Sequence, residues 1–163
     1  MEERILGIDP GLNTTGYGVL EVVGGKPRVC EAGIITSRAR GTLAERLTEI
    51  HNGVLDVIRS LKPGCLAIEE LYTHYERPTT AILMGHARGV ICLAAGLSGL
   101  PLTAYAATQV KKILTGNGRA AKTQVQSAIT HELRLEAVPD PPDVADALAI
   151  ALCHFYLGKR VLK

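Results

Sequence analysis

Ile5-Leu6-Gly7-Ile8 is an unbroken run of apolar and small residues ending in Asp9, and Cys65-Leu66-Ala67-Ile68 repeats the pattern with Glu69 at its end. Runs without polar alternation read as strands covered on both faces. After the turn Gly11-Leu12-Asn13-Thr14-Thr15-Gly16, Tyr17 to Val23 reads as a second strand and Arg28 to Thr36 as a third. Gly24-Gly25-Lys26-Pro27 between them has turn chemistry. The two strands therefore pair as an antiparallel hairpin, and the first three strands form a meander. Leu43, Leu47, Ile50, Val54, Ile58 and Leu61 then recur at helical spacing, with Glu45, Glu49, Asn52, Asp56 and Arg59 on the other side. Thr42 is the expected N-cap, Glu45 completes a capping box, and Lys62-Pro63-Gly64 ends the helix.

A second long helix is expected from Thr79 to Gly99, apolar nearly all round, with Ala81, Gly85, Gly89 and Gly96 forming a stripe of small residues. Central His86 and Arg88 argue against a membrane span. Such a helix needs cover on two sides; the sheet supplies one, and a twin subunit is expected to supply the other. Leu100 to Tyr105 is the last strand, followed by helical stretches at Thr108 to Leu114, Ala121 to Leu133 and Asp143 to Leu157. The order β-β-β-α-β-α-β-α-α-α suits an α/β fold, a mixed sheet with helices on both faces. With 163 residues, the chain reads as one domain spanning 1–163.

Composition narrows the setting. A net charge of +2 and a pI near 8.4 leave room for a basic patch but not for a globally basic molecule. Cys30, Cys65, Cys92 and Cys153 show no metal-ligand spacing and lie in apolar runs, so they read as small hydrophobes in a reducing cytoplasm. Met1-Glu2-Glu3-Arg4 leads straight into a strand and has no secretory pattern.

The acids carry the chemistry. By period two, Gly7 shares a face with Asp9 and Ala67 with Glu69, so small residues beneath both carboxylates leave room for something to approach. Glu70 reads as solvent-facing. A carboxylate at the end of a buried strand caps a turn, pairs with a cation, or binds a metal. Asp143 and Asp146 lie one turn apart on one helical face. Helix-start preferences explain Asp140 as an N-cap, with Pro141 and Pro142 behind it, and partly explain Asp143. They do not explain Asp146, which is set among Ala, Leu and Ile and is expected to be largely buried. Stacked acids beside strand-end acids need a cation. Four carboxylates without a His or Cys cluster select Mg²⁺, or Mn²⁺ in its place, and the reaction such ions serve is phosphodiester cleavage.

Lys111, Lys112, Arg119 and Lys122 flank Gly116-Asn117-Gly118, a candidate contact for a phosphate backbone together with the amides that open the next helix. Gly116 to Thr123 falls one residue short of a nucleotide-binding P-loop; Ala121 replaces the second glycine, and a helix precedes the loop where a strand is required. Nucleotide hydrolysis is rejected. In the loop after Glu69, Tyr72 is placed to stack on an unpaired base and Arg77 to meet a phosphate. His51, His86, His131 and His154 read as helix-face residues and His74 as a loop residue, and no nucleophilic triad is visible.

These residues resemble the RuvC family of Holliday-junction resolvases, within the ribonuclease H-like superfamily. The resemblance rests on Ile5 to Gly11 with Thr15-Gly16-Tyr17-Gly18, Ala67-Ile68-Glu69, Gly85 to Val90, Gln109-Val110-Lys111, and Asp143 to Ala151. It implies a ribonuclease H-like five-stranded sheet, a three-strand antiparallel meander plus two parallel strands. It also implies a homodimer that nicks a four-way DNA junction symmetrically with Mg²⁺ and works beside a branch-migration motor. Metal-binding and catalytic roles fall on Asp9, Glu69, Asp143 and Asp146, DNA contacts on Lys111 and Lys122, and base stacking on Tyr72. The Tyr72 to Pro78 loop is a residue longer than the family pattern. A sugar-kinase or actin-like ATPase shares the Gly-Ile-Asp-Pro-Gly opening but needs two such domains. An RNA-directed relative would lack the full Asp143-x-x-Asp146 helix, and a non-catalytic junction binder would not need all four acids.

Overall fold

The computed structural model describes residues 3–71 and 76–161. Strands β1 (Glu3–Asp9), β2 (Thr14–Val23), β3 (Lys26–Thr36), β4 (Cys65–Glu69) and β5 (Leu102–Tyr105) form one mixed sheet in the order β3-β2-β1-β4-β5. The meander is antiparallel, and β4 and β5 run parallel to β1, as the family resemblance implies. β2 starts earlier than its apolar run because Thr14 and Thr15 pair with Thr36 and Ile35, extending the ladder beyond the hydrophobic stretch. A register shift at Val19/Leu20 leaves Cys30 without an opposite residue on β2. Cys30 is exposed on the sheet's outer strand rather than buried, whereas Cys153 is buried as expected.

Helices α1 (Leu43–Leu61), α2 (Pro78–Leu97), α3 (Ala107–Thr115), α4 (Lys122–Glu132) and α5 (Pro142–Val161) cover the two faces. In α1, Glu45 N donates to Thr42 Oγ1 at 3.2 Å and Thr42 N to Glu45 Oε2 at 2.8 Å, the reciprocal pair expected of a capping box. Lys62 ends the helix in the left-handed region at φ 48°. Leu6, Ile8, Val19, Leu66 and Ile68 meet α1 and α2 on one face of the sheet. Ile5, Leu20 and Ala67 meet α3, α4 and α5 on the other. This alternation places each strand-end acid on the α5 face.

α2 buries Ala87, Ile91, Ala94 and Ala95 and leaves Ile82, Leu93 and Leu97 exposed at 62%, 52% and 70%. It is long and apolar enough to cross a membrane by length and composition alone, but its inner face belongs to the core shared with α1 and the sheet.

The room beneath Asp9 is filled by α5. A Cβ on Gly7 would lie 2.2 Å from the Ala147 carbonyl oxygen and 2.8 Å from Ala151 Cβ, so only glycine lets the helix backbone rest on β1. Asp140 does not take the N-cap position, because α5 starts at Pro142 and Pro141 directly precedes it.

Candidate metal centre

Three elements bring the acids together. β1 and β4 are parallel neighbours in register, Ile8 beside Ile68, so Asp9 and Glu69 leave the same edge of the sheet side by side. The first turn of α5 descends on that edge, where a Cβ on Gly16 would lie 2.1 Å from the Asp143 carbonyl oxygen. Asp143 and Asp146 project from this turn toward the strand ends.

The electrostatics record the convergence. Asp9 is pushed from its ordinary 3.8 to about 8, first by burial and then by Asp146, Glu69 and Asp143, with Lys122 acting in the opposite direction. Glu69 is raised by burial and by Asp146, opposed by Lys111. Burial and Asp143 raise Asp146, while Lys122 and Lys111 oppose the rise. Close carboxylates that resist ionisation are the state a divalent cation relieves. Among the described residues no three acidic, His or Cys side chains close into a tight ligand cage. The acids line an open edge, and Lys122 Nζ, 3.6 Å from Asp146 Oδ2, supplies part of the missing positive charge. An all-carboxylate donor set of this kind fits Mg²⁺ or Mn²⁺.

Asp146 is less buried than its apolar neighbours suggest: its side chain is 40% exposed. It faces a cavity of about 260 Å³ lined by Glu69, Lys111, Lys122, Val110 and Ala149 among others, so two acids and two lysines share one opening. A larger cleft, about 1140 Å³ between the β2–β3 turn and the end of α4, holds none of the expected site residues.

The basic group divides. Lys111 and Lys122 reach the acids, whereas Lys112 and Arg119 are exposed and do not line the cavity. The start of α4 is partly occupied, because Ala121 N donates to Gln124 Oε1 at 2.9 Å, so fewer of its amides are free for phosphate than expected. α3 ends at Gly116 in the left-handed region, φ 81°, so a helix and not a strand leads into this loop, as the sequence reading expects. Arg77 is exposed beside the start of α2. Tyr72 and His74 lie outside the described residues. His154 does more than face out of its helix: its Nδ1 is 2.7 Å from Tyr105 Oη and its Nε2 is 3.4 Å from Cys65 Sγ.

Three supporting residues were missed from the sequence. Thr15 is fully buried and staples the turn after Asp9, donating to Gly11 O at 2.8 Å and accepting from Gly11 N at 3.3 Å. Arg46 reaches from α1 to the same turn, hydrogen-bonding Leu12 O, Asn13 Oδ1 and Ser37 Oγ. Arg88 Nε donates to the Glu69 carbonyl at 3.1 Å. Arg88 stands out in the sequence as a charge inside an apolar helix and Thr15 falls within a motif of the family resemblance, whereas Arg46 gives no signal.

The chain is similar to known proteins of one family. A family model described as crossover junction endodeoxyribonuclease RuvC matches residues 5–154. A crossover junction endodeoxyribonuclease RuvC from Rhodopirellula baltica is 58% identical over 158 residues, covering 96% of this chain and 88% of the relative. RuvC of Thermus thermophilus superposes with a TM-score of 0.88 at 36% identity, covering 96% of both chains. The same protein in complex with a Holliday junction substrate gives a TM-score of 0.92 at 35% identity, covering 98% of this chain and 96% of that one.

Proposed function

The chain belongs to the RuvC family of crossover junction endodeoxyribonucleases, and we propose that it resolves four-way DNA junctions by paired symmetric nicks, with a divalent cation held by Asp9, Glu69, Asp143 and Asp146. The observation that carries this reading is the convergence of the acids at one edge of the sheet: Asp9 and Glu69 end neighbouring parallel strands, the Asp143 backbone rests on Gly16, and Asp146 shares a cavity with Glu69, Lys111 and Lys122. An ion held there, Mg²⁺ (or Mn²⁺), would supply Lewis acidity for phosphodiester hydrolysis. Asp9 would hold the ion as a carboxylate, its charge balanced by the cation. Lys111 and Lys122, at the opening of the same cavity, hold the scissile phosphate against the acids and offset its charge. Arg119, Arg77 and Tyr72 belong to the wider DNA contact in this reading, the first two on phosphates and Tyr72 on an unpaired base.

Cleavage of four-way and linear DNA by wild type and Asp146→Asn, with and without Mg²⁺, tests it. Asp146→Asn is expected to retain junction binding and to cleave at least about tenfold more slowly, the scale of a disturbed metal site. Unchanged cleavage would remove the acids from the chemistry.

Two copies of the chain form the working unit. Support comes from α2, where Ile82, Leu93 and Leu97 are exposed and Gly85, Gly89 and Gly96 have open space above them, so a second backbone can approach. Wild type is expected to sediment as a dimer at micromolar concentration, and Leu93→Glu as a monomer, since a charge forced into an apolar contact is strongly disfavoured. A wild-type monomer would count against this. The branch-migration motor remains the expected protein partner on the family resemblance. A cytoplasmic setting is supported by four unbridged cysteines.

A further inference from the structure

Pro10 interrupts the sheet where the two strand-end acids leave it. Leu66 N donates to Pro101 O and Glu70 N to Tyr105 O, both at 2.9 Å, so the even-numbered residues of β4 face β5. Alternation turns Glu69 toward β1. Ile8 pairs with Ile68 in this parallel ladder, so the next bond would run from the amide of residue 10 to the Glu69 carbonyl. Residue 10 is proline and has no amide hydrogen. The Glu69 carbonyl is taken instead by Arg88, whose Nε lies 3.1 Å away. Arg88 Nη1 also lies 3.9 Å from Cys92 Sγ, one turn along α2, so the guanidinium is held against its own helix while it reaches the strand.

We propose that Arg88 is a positioning residue for Glu69: it replaces the ladder bond that Pro10 removes and so sets the angle at which the Glu69 carboxylate meets Asp9. The role rests on the divalent-cation reading of the acids. It gives the apolar helix a reason to carry a half-buried cation, and it gives Pro10 a function beyond making a turn. A ladder bond would hold the ends of β1 and β4 at ordinary strand spacing. A long side chain from another layer leaves the two ends free to separate around an ion while the Glu69 carbonyl stays satisfied. In this role Arg88 acts only through Glu69, whose carbonyl it holds.

Mn²⁺ binding to the DNA-free protein, measured by electron paramagnetic resonance, separates this role from simple packing. Arg88→Met removes the donors but keeps much of the stem, and it is expected to weaken Mn²⁺ binding about 10- to 100-fold, as loss of a ligand-orienting partner does. Pro10→Ala in the Arg88→Met background restores an amide at residue 10 and is expected to recover most of that loss. Arg88→Lys, which keeps one donor, falls between wild type and Arg88→Met and serves if Arg88→Met does not fold. A folded Arg88→Met with wild-type Mn²⁺ affinity overturns the proposal, even if its melting temperature falls. Failure of Pro10→Ala to rescue also overturns it. If wild type binds Mn²⁺ no better than Asp9→Asn, the cation reading fails first and Arg88's role falls with it. Those results are distinguishable because the last appears in the comparison of wild type with Asp9→Asn, before any Arg88 variant is measured.

Discussion

Asp9→Asn is expected to lower junction cleavage by about 10³-fold in the presence of Mg²⁺, on the scale of removing a central electrostatic stabiliser from an active site, while leaving junction binding intact. Asp9 is the acid on which the other three act together. The same substitution has an opposite effect on the metal-free protein. Folded Asp9 holds its proton to about pH 8, whereas an ordinary aspartate gives it up near 3.8. Between those values the unfolded chain binds fewer protons than the folded one, so stability falls as pH rises through this window and is fully present only below it. Asparagine has no proton to lose. The melting temperature of Asp9→Asn relative to wild type is therefore expected to rise from pH 5 to pH 8 in chelator, and the order to reverse on adding Mg²⁺. Scanning calorimetry at the two pH values, with and without the ion, reads both effects. Parallel behaviour of the two proteins across that range would show that Asp9 is not strained by its neighbours.

Gly16→Ala should be nearly as damaging, although residue 16 carries no chemistry. Its Cβ would stand 2.1 Å from the Asp143 carbonyl oxygen, 2.5 Å from its carbonyl carbon and 3.0 Å from its Cβ. These are largely backbone atoms of a helix packed across the sheet, so they cannot swing aside as a side-chain tip would. α5 must lift by roughly an ångström, and a shift of that size at a reacting centre costs about 10²-fold in rate. Overpacking adds about 1–3 kcal/mol of destabilisation. Cleavage and urea unfolding measured on the same preparation separate the two contributions. Activity within a few-fold of wild type would mean that α5 has more freedom than its contact with Gly7 and Gly16 implies.

Much of the fold was legible because its signals are local. The unbroken run before Asp9 needs cover on both faces wherever it lies, and the Thr42–Glu45 capping box forms from residues three apart. The errors have local causes too. Cys30 reads as a small hydrophobe yet is exposed, because it lies between Val29 and Glu31 on the outer strand of the sheet. Asp146 is surrounded in sequence by buried residues but opens onto a cavity, because a helix turns each successive side chain to a new direction. Asp140 reads as a cap, but Pro141 stands between it and the start of α5.

By itself the sequence determined which carboxylates end strands and which share a helical face, and it raised the expectation of a hard cation beside them. Only the tertiary structure decided that Asp9, Glu69, Asp143 and Asp146 act on one another, that Lys111 and Lys122 join them while Lys112 and Arg119 stay apart, and that the space above Gly7 receives α5. Spacing along a chain is read directly, whereas distance between elements depends on the register of β1 against β4 and on how closely a helix backbone can approach glycine. The opening run into Asp9 and Pro10 shows both sides. Its acid was visible in the sequence, but the carbonyl that Pro10 leaves to Arg88 emerged only once β4 lay beside it.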